Sequence, residues 1–324
     1  MSNHTWNGLR IALIGLVGLL IPAALTLGSV RSPGTLHIAT DDPSPYGYTI
    51  SLLLFVIPDA ILIWLLVQHP RGRIERRAFC ATVATVFAMG CVLDFVFACA
   101  FFRFPNQGAT LGLRLPAFCF ANGWVPDVLP IEEFGFYGFG SLFMIGLYVW
   151  FDLAWLGRTS AADPQSIART LIEQDRALLR FHPLSLVNGG LLILAAIGFR
   201  KLFVAEPGFP GYFVFLTCLM FIPSALLYPT VKELINWQAF TVMFLILQLV
   251  SLLWEATVAV PYGWWNYHHD QMLGIFIGSW AQLPIEAVMV WIAVGFATVV
   301  LYEMFRVQFH RRELLRSKGL GETP

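Results

Sequence analysis

Five carboxylates stand where an otherwise apolar chain least accommodates them. Asp94 and Glu255 lie late in long apolar runs, and Glu132, Glu133 and Glu286 open two others. The string Leu-Pro-Ile-Glu occurs at 129–132 and again at 283–286, 154 residues further on. An ionisable side chain in a membrane helix is destabilising and marks a functional position by default. Proline at the first helical position with glutamate in the first turn is also an ordinary helix start, favoured by the macrodipole. The LPIE strings alone therefore leave simple capping open. Asp94 and Glu255 resist that account, because the dipole opposes a negative charge near a helix C-terminus. A buried, hydrogen-bonded structural acid is the alternative for them. Carboxyls in opposed environments are a general route to acid/base pairs. On that logic Asp94 and Glu255 are expected proton donors, while Glu132 and Glu286 are expected anions that accept a proton or steady a cation.

Such acids need elements that hold them in a dry place. The 324 residues are 57% hydrophobic and 12% charged, with a mean hydropathy of +0.70. An ordinary soluble domain carries about 25% charged residues. The chain therefore reads as an all-α integral membrane protein. Its formal net charge of zero gives no field that favours nucleic acid. No GxGxxG or GxxxxGK[ST] string occurs, so no flavin, nicotinamide or nucleotide cofactor is expected. The five cysteines show no pairing pattern and read as small apolar residues.

Eight apolar stretches have the length of a bilayer crossing, at 10–28, 48–68, 79–101, 131–155, 184–203, 211–229, 237–259 and 284–305. The first lacks a cleavage pattern and reads as a retained helix. With the N-terminus in the cytoplasm, 15 of the 20 lysines and arginines fall on the inner side. Both termini are then cytoplasmic, as in a bacterial inner membrane. The segment 163–181 has apolar residues at helical spacing and three arginines, and Asp163-Pro164 starts it. It reads as an interfacial linker helix, with a regulatory or partner helix as the alternative.

The two halves of the chain align. Ile57-Pro58-Asp59-Ala60 matches Ile222-Pro223-Ser224-Ala225, Ala78-Phe79 matches Ala239-Phe240, and at that same offset of 161 Asp94 falls on Glu255. The expected units are a first repeat over 1–158, a linker over 159–183, a second repeat over 184–306 and a basic tail over 307–324. Four crossings each make the repeats parallel, related by a pseudo-two-fold axis along the membrane normal, with a site between them. All five acids then lie in the outer third of the membrane, and Asp59 nearer the middle.

Other motifs carry less. His268-His269-Asp270 suits an outer-loop cap better than a metal site, because adjacent histidines in an extended segment point apart. Asp41-Asp42 precedes Pro43 without a DDxxD pattern, so magnesium-assisted ionisation of a diphosphate is not expected. No lysine lies mid-span to carry a retinal Schiff base. Tyr46, Tyr48, Trp124, Trp264, Trp265 and Tyr267 form an outer aromatic set. It reads either as an interfacial belt or as faces that stabilise a carbocation.

The stretch from Glu255 through Gly263-Trp264-Trp265-Asn266-Tyr267, then Leu273-Gly274 and Pro284-Ile285-Glu286, resembles the non-flavin integral-membrane lycopene cyclases. Asp94 followed by Pro130-Ile131-Glu132-Glu133-Phe134 repeats the pattern in the first half. The resemblance covers roughly 50–155 and 210–305. It implies a redox-neutral, protonation-initiated cyclisation of a polyene end group, as in carotenoid biosynthesis, without diphosphate ionisation or a cofactor. Related membrane cyclases act on sesquiterpenoid and meroterpenoid polyenes. The implied catalytic set is Asp94, Glu132, Glu133, Glu255 and Glu286. The expected substrate contacts are Asp59, Trp124, Phe134, Trp264, Trp265 and Tyr267, and the partner is a hydrophobic polyene drawn from the lipid. Three departures bear on the substrate. Ala287 replaces a second glutamate, the first repeat has 36 residues from its acid to the LPIE proline where the second has 29, and its loop 102–128 lacks a clear G-W-x-Y. A lipid or small-molecule transporter and a non-catalytic carotenoid-binding protein are the alternatives from other classes.

Overall fold

The computed structural model describes residue 21 and residues 44–69, 74–156, 163–175, 177–178, 183–277 and 281–318. The expected span at 10–28, all but residue 21, the Asp41-Asp42 pair and the last residues of the tail lie outside the described residues. Seven described helices are long and apolar enough to cross a membrane. They are α1 (Gly47–Gln68), α2 (Arg76–Phe101), α3 (Glu132–Trp155), α5 (Pro183–Phe203), α6 (Gly211–Val231), α7 (Trp237–Ala259) and α8 (Ile285–Ser317). The protein is an integral membrane protein. Large apolar side chains such as Leu194 and Leu249 stand exposed on the bundle surface, where lipid and not water is the compatible solvent. Between α3 and α5 lies the short amphipathic helix α4 (Pro164–Glu173), with Pro164 at its first turn. It packs on α8 through Ala168 and Leu171, beside Val307.

The helices begin where local chemistry allows. Glu132 and Glu133 sit in the first turn of α3 and Glu286 in that of α8. Asn236 caps α7, its side-chain oxygen accepting from the amides of Gln238 at 3.1 Å and Ala239 at 3.2 Å. The last helix runs past the expected end at 305 to Ser317. Arginine, glutamate and leucine from 311 to 316 are strong helix formers, so nothing local ends it at the membrane edge.

The two LPIE helices, α3 and α8, are among the most buried, and α5 lies at the periphery. Aromatic packing joins α1, α3 and α7. Phe55 is fully buried with its ring against Phe136 at 5.7 Å, Phe143 at 5.6 Å and Trp254 at 5.7 Å. A polar cluster ties α3, α7 and α8 at the end away from LPIE. There Tyr148 donates to Glu303 at 2.9 Å, Arg306 bonds both Glu303 and Glu75, and Asn236 donates to Asp152 at 3.0 Å.

The all-α expectation needs one correction. At the LPIE end the connecting segments form three short antiparallel pairs. β1 (Phe102–Arg103) pairs with β4 (Asn266–Tyr267), β2 (Arg114–Cys119) with β3 (Gly123–Pro130), and β5 (Phe276–Ile277) with β6 (Leu283–Pro284). The extra residues of the first half are thus a hairpin. Asn122-Gly123 in its turn is a strong hairpin signal, but composition had pointed to helices alone. The cysteines also need correction, since Cys99 of α2 is disulfide-bonded to Cys119 of β2. A span and a distant loop supply its halves, so no local spacing announced it.

Candidate functional site

Near the LPIE end of the bundle lies a cavity with about 110 Å³ open to the centres of water-sized groups, lined almost wholly by apolar and aromatic side chains. Two carboxyls face it, Glu133 and Glu255. On α3 its wall is the stripe Glu133, Phe136, Tyr137, Gly140 and Met144, which follows helical spacing. On α8 the wall is Val290, Trp291 and Val294. Tyr48 of α1, Tyr212 and Phe215 of α6, and Phe102, Phe104, Trp265 and Tyr267 of the connections complete the aromatic lining.

Each acid is oriented by an aromatic donor. The Tyr48 hydroxyl donates to Glu133 Oε1 at 2.7 Å. Tyr267 donates to Glu255 Oε2 at 2.7 Å, and the Trp291 indole donates to Glu255 Oε1 at 2.8 Å. Tyr137 donates to Asp94 Oδ1 at 3.0 Å, while Asp94 Oδ2 is buried without a partner among the described residues. A π-helical turn, Glu255–Ala259, begins at Glu255, and such widened turns are frequent at functional sites. Tyr267 lies outside the spans. Burial first, and then the Glu255 charge, pushes its phenol well above the usual range, so it remains a donor.

The other expected acids sit differently. Glu132 lies one residue, about 100° of helix, from Glu133 and turns away from the cavity. It accepts from Thr49 Oγ1 at 2.6 Å and from the Leu111 amide at 2.7 Å. Glu286 likewise accepts from the Leu273 amide. Both hold the loop before their helix, a role the helix-dipole argument did not foresee. Asp59 is buried on α1 with neither oxygen bonded among the described residues, and it does not line the cavity.

The aromatic expectations divide the same way. Trp265 and Tyr267 line the cavity. Trp264 backs it, fully buried, stacked on Tyr48 at 5.9 Å and donating to Ser44 Oγ at 2.7 Å. Phe134 and Trp124 stand elsewhere. Phe134 packs on Phe95 at 5.1 Å on another face of α3, and Trp124 is 62% exposed on the hairpin against Phe118. His268 and His269 do diverge, the first towards Arg103 and the second onto the Phe276 ring. Among the described residues no group of three histidine, cysteine or acidic side chains is arranged to hold a metal ion.

Compared with protein families, with curated proteins and with solved structures, the chain matches none. The geometry of the cavity must therefore carry the functional argument.

Sequence reasoning missed Tyr137, Trp291, Tyr212 and Phe136. A signal existed for the first two: each stands five residues after its LPIE glutamate, and each donates to the acid of the preceding span. Gly90 was also passed over. A Cβ there would collide with the Tyr137 ring, so only glycine lets that ring lie against α2 one turn before Asp94. The arrangement sets two hydrogen-bonded carboxyls and several π faces around one mostly apolar cavity.

Proposed function

We propose that the protein is an intramembrane terpenoid cyclase that closes a ring at the end of a polyene by protonation, in the manner of the lycopene cyclases its sequence resembles. The observation that carries this reading is the pair Glu133 and Glu255 facing one apolar cavity, each held by a phenol. Glu133 has one oxygen engaged by Tyr48, which leaves the other to carry the proton. Its O–H bond breaks as a C–H bond forms at the terminal double bond, and a tertiary cation results. A second double bond of the same chain attacks that cation, and the new C–C bond closes the ring. Loss of a proton from the carbon beside the new cation restores a double bond, and the sum is an isomerisation without oxidant or reductant. Glu255, expected from its place in the helix to be a donor, has both oxygens engaged as acceptors and serves instead as the counter-charge and proton acceptor. The faces of Phe136, Trp265 and Tyr212 steady the cation, and the hydrogen bond from Tyr137 to Asp94 orients a reserve acid beside them.

The reading includes two parallel repeats with a pseudo-two-fold axis, both termini cytoplasmic, in a bacterial inner membrane. The paired donors of Asp94 and Glu255 support the duplication, as does the ladder β1–β4, in which the two connecting segments run antiparallel against each other. The Cys99–Cys119 disulfide at the LPIE end supports the orientation, because disulfides persist on the oxidising side of a membrane. The substitution of Ala287 at the place of Glu133 makes one asymmetric site more consistent than two.

The test is co-expression with pathways that supply polyenes of several lengths, in heavy water, with product analysis. One new cyclic isomer carrying a single deuterium is expected. Absence of any isomer across the series would overturn the cyclase.

A further inference from the structure

We infer that a second, wider cleft at the LPIE end holds the polar head of the substrate, and that the substrate is an isoprenoid with a hydrogen-bonding head and not a bare hydrocarbon. This rests on the cyclase reading and names its substrate class. The cleft lies between α2 and α6 beneath the β2–β3 hairpin and has about 1100 Å³ of the same kind of space. That is ten times the acid-lined cavity, which therefore admits only the end of a chain. Phe102, Phe104 and Phe215 line both, so they form the threshold between them. A chain threaded across that threshold leaves its remainder in the cleft.

The two walls of the cleft differ. Towards the bundle it is apolar, with Phe97, Val214 and Leu219. At the loop end it carries Arg103, Arg114, His268, Asp127, Asp270 and Gln271. Arg103 Nε donates to His268 Nε2 at 3.1 Å, and His268 Nδ1 lies 3.8 Å from Asp270. Arg114 reaches the carbonyls of Asp127 and Phe104, both at 3.4 Å. A hydrocarbon lying there would strip water from these groups and return no hydrogen bonds, which is unfavourable. Charges of both signs face the space, two arginines against two aspartates, so the rim does not select an anion. It suits a neutral head with several donors and acceptors, such as a hydroxylated ring. The Cys99–Cys119 disulfide lines the cleft and fixes the hairpin to α2.

The experiment uses the full chain in lipid nanodiscs, with geranylgeranyl hydroquinone and squalene as the probes. The hydroquinone is expected to bind at least tenfold more tightly than squalene. The double variant Arg103→Gln/Arg114→Gln is expected to abolish that preference while squalene affinity stays as it was, which also reports that the variant is folded. A diazirine on the head of the hydroquinone is expected to crosslink, in the unaltered protein, to peptides spanning 114–128 or 268–271. Equal affinities, a preference that survives both substitutions, or crosslinks confined to other segments would each overturn the cleft assignment. Head-selective binding and crosslinking at the rim without any cyclised product would uphold the cleft and overturn the cyclase.

Discussion

Tyr137 donates its phenolic hydrogen to Asp94 at 3.0 Å from a ring that occupies the space a side chain at residue 90 would need. The acid, its donor and the glycine that admits the donor thus form one unit across α2 and α3. Gly90→Ala should push the ring off Asp94 without removing either group. The collision is with the base of the ring, so overpacking should cost about 1–3 kcal/mol and lower the thermal midpoint, and cyclised product should fall because the displaced ring also forms part of the cavity wall. Retained activity in Gly90→Ala would show that the Tyr137–Asp94 contact is dispensable.

The neighbouring glutamates of α3 should separate cleanly. Glu133→Gln keeps the shape of the cavity wall but removes its acid, and product formation should fall by about 10²–10⁴-fold with the fold intact. Glu132→Ala removes the acceptor of both the Thr49 hydroxyl and the Leu111 amide, a net loss of about 0.5–1.5 kcal/mol for each hydrogen bond. It should lower the thermal midpoint and speed amide exchange around 107–111, with a smaller effect on turnover. The reverse pattern would exchange the two roles.

Trp291→Phe keeps the cavity apolar and removes one of the two donors to Glu255. A hydrogen bond to a charged group contributes about 1.5–3 kcal/mol. Turnover should drop roughly 10- to 100-fold by the corresponding Boltzmann factor, measured as initial rate of ring formation, with substrate affinity nearly unchanged. A loss confined to affinity would assign Trp291 to binding alone.

Alkylation followed by intact mass measurement checks the disulfide. Cys80, Cys91 and Cys218 are free, so three labels are expected without reductant and five with it. The bridge closes a separation of 20 residues, for which chain entropy gives about 3 kcal/mol. Reduction should therefore lower the midpoint and loosen the hairpin.

His268 gives the pH dependence. Burial first, and then the Arg103 guanidinium, hold its imidazole below the ordinary value of 6.5. Between the lowered folded value and 6.5 the opened loop binds more protons than the closed one, so local stability rises with pH across that window and is lost as pH falls through it. Protonation of Nε2 also ends its acceptance from Arg103. Protection of the β1–β4 ladder amides, taken relative to their intrinsic exchange rates at each pH, should fall as the pH is lowered from 7 towards 5, and His268→Gln should flatten that response. An unchanged slope in the variant would show that another group is responsible.

What the sequence by itself determined was seven of the eight expected spans, the other lying outside the described residues, and the end at which the acids gather. Long apolar runs with few charges have one stable solution in lipid, the helix, because every backbone polar group must be satisfied within the segment. Six of the seven described spans accordingly fall within a few residues of the apolar stretches, and the last overruns its stretch to Ser317. The LPIE strings marked two helix starts, although both prolines end a strand just before the helix and only the glutamates stand in its first turn. Tertiary structure alone decided which acids face the cavity. Glu132 and Glu133 differ by one residue, yet the first binds a loop amide and the second lines the cavity, because a single helical step turns a side chain by about 100°. The donors to Glu255 come from α8 and from β4, and Cys119 reaches Cys99 only once the hairpin folds over α2. Periodicity along one element records which face is apolar, but the partner of that face is set by packing between distant segments, and that is where the site was assembled.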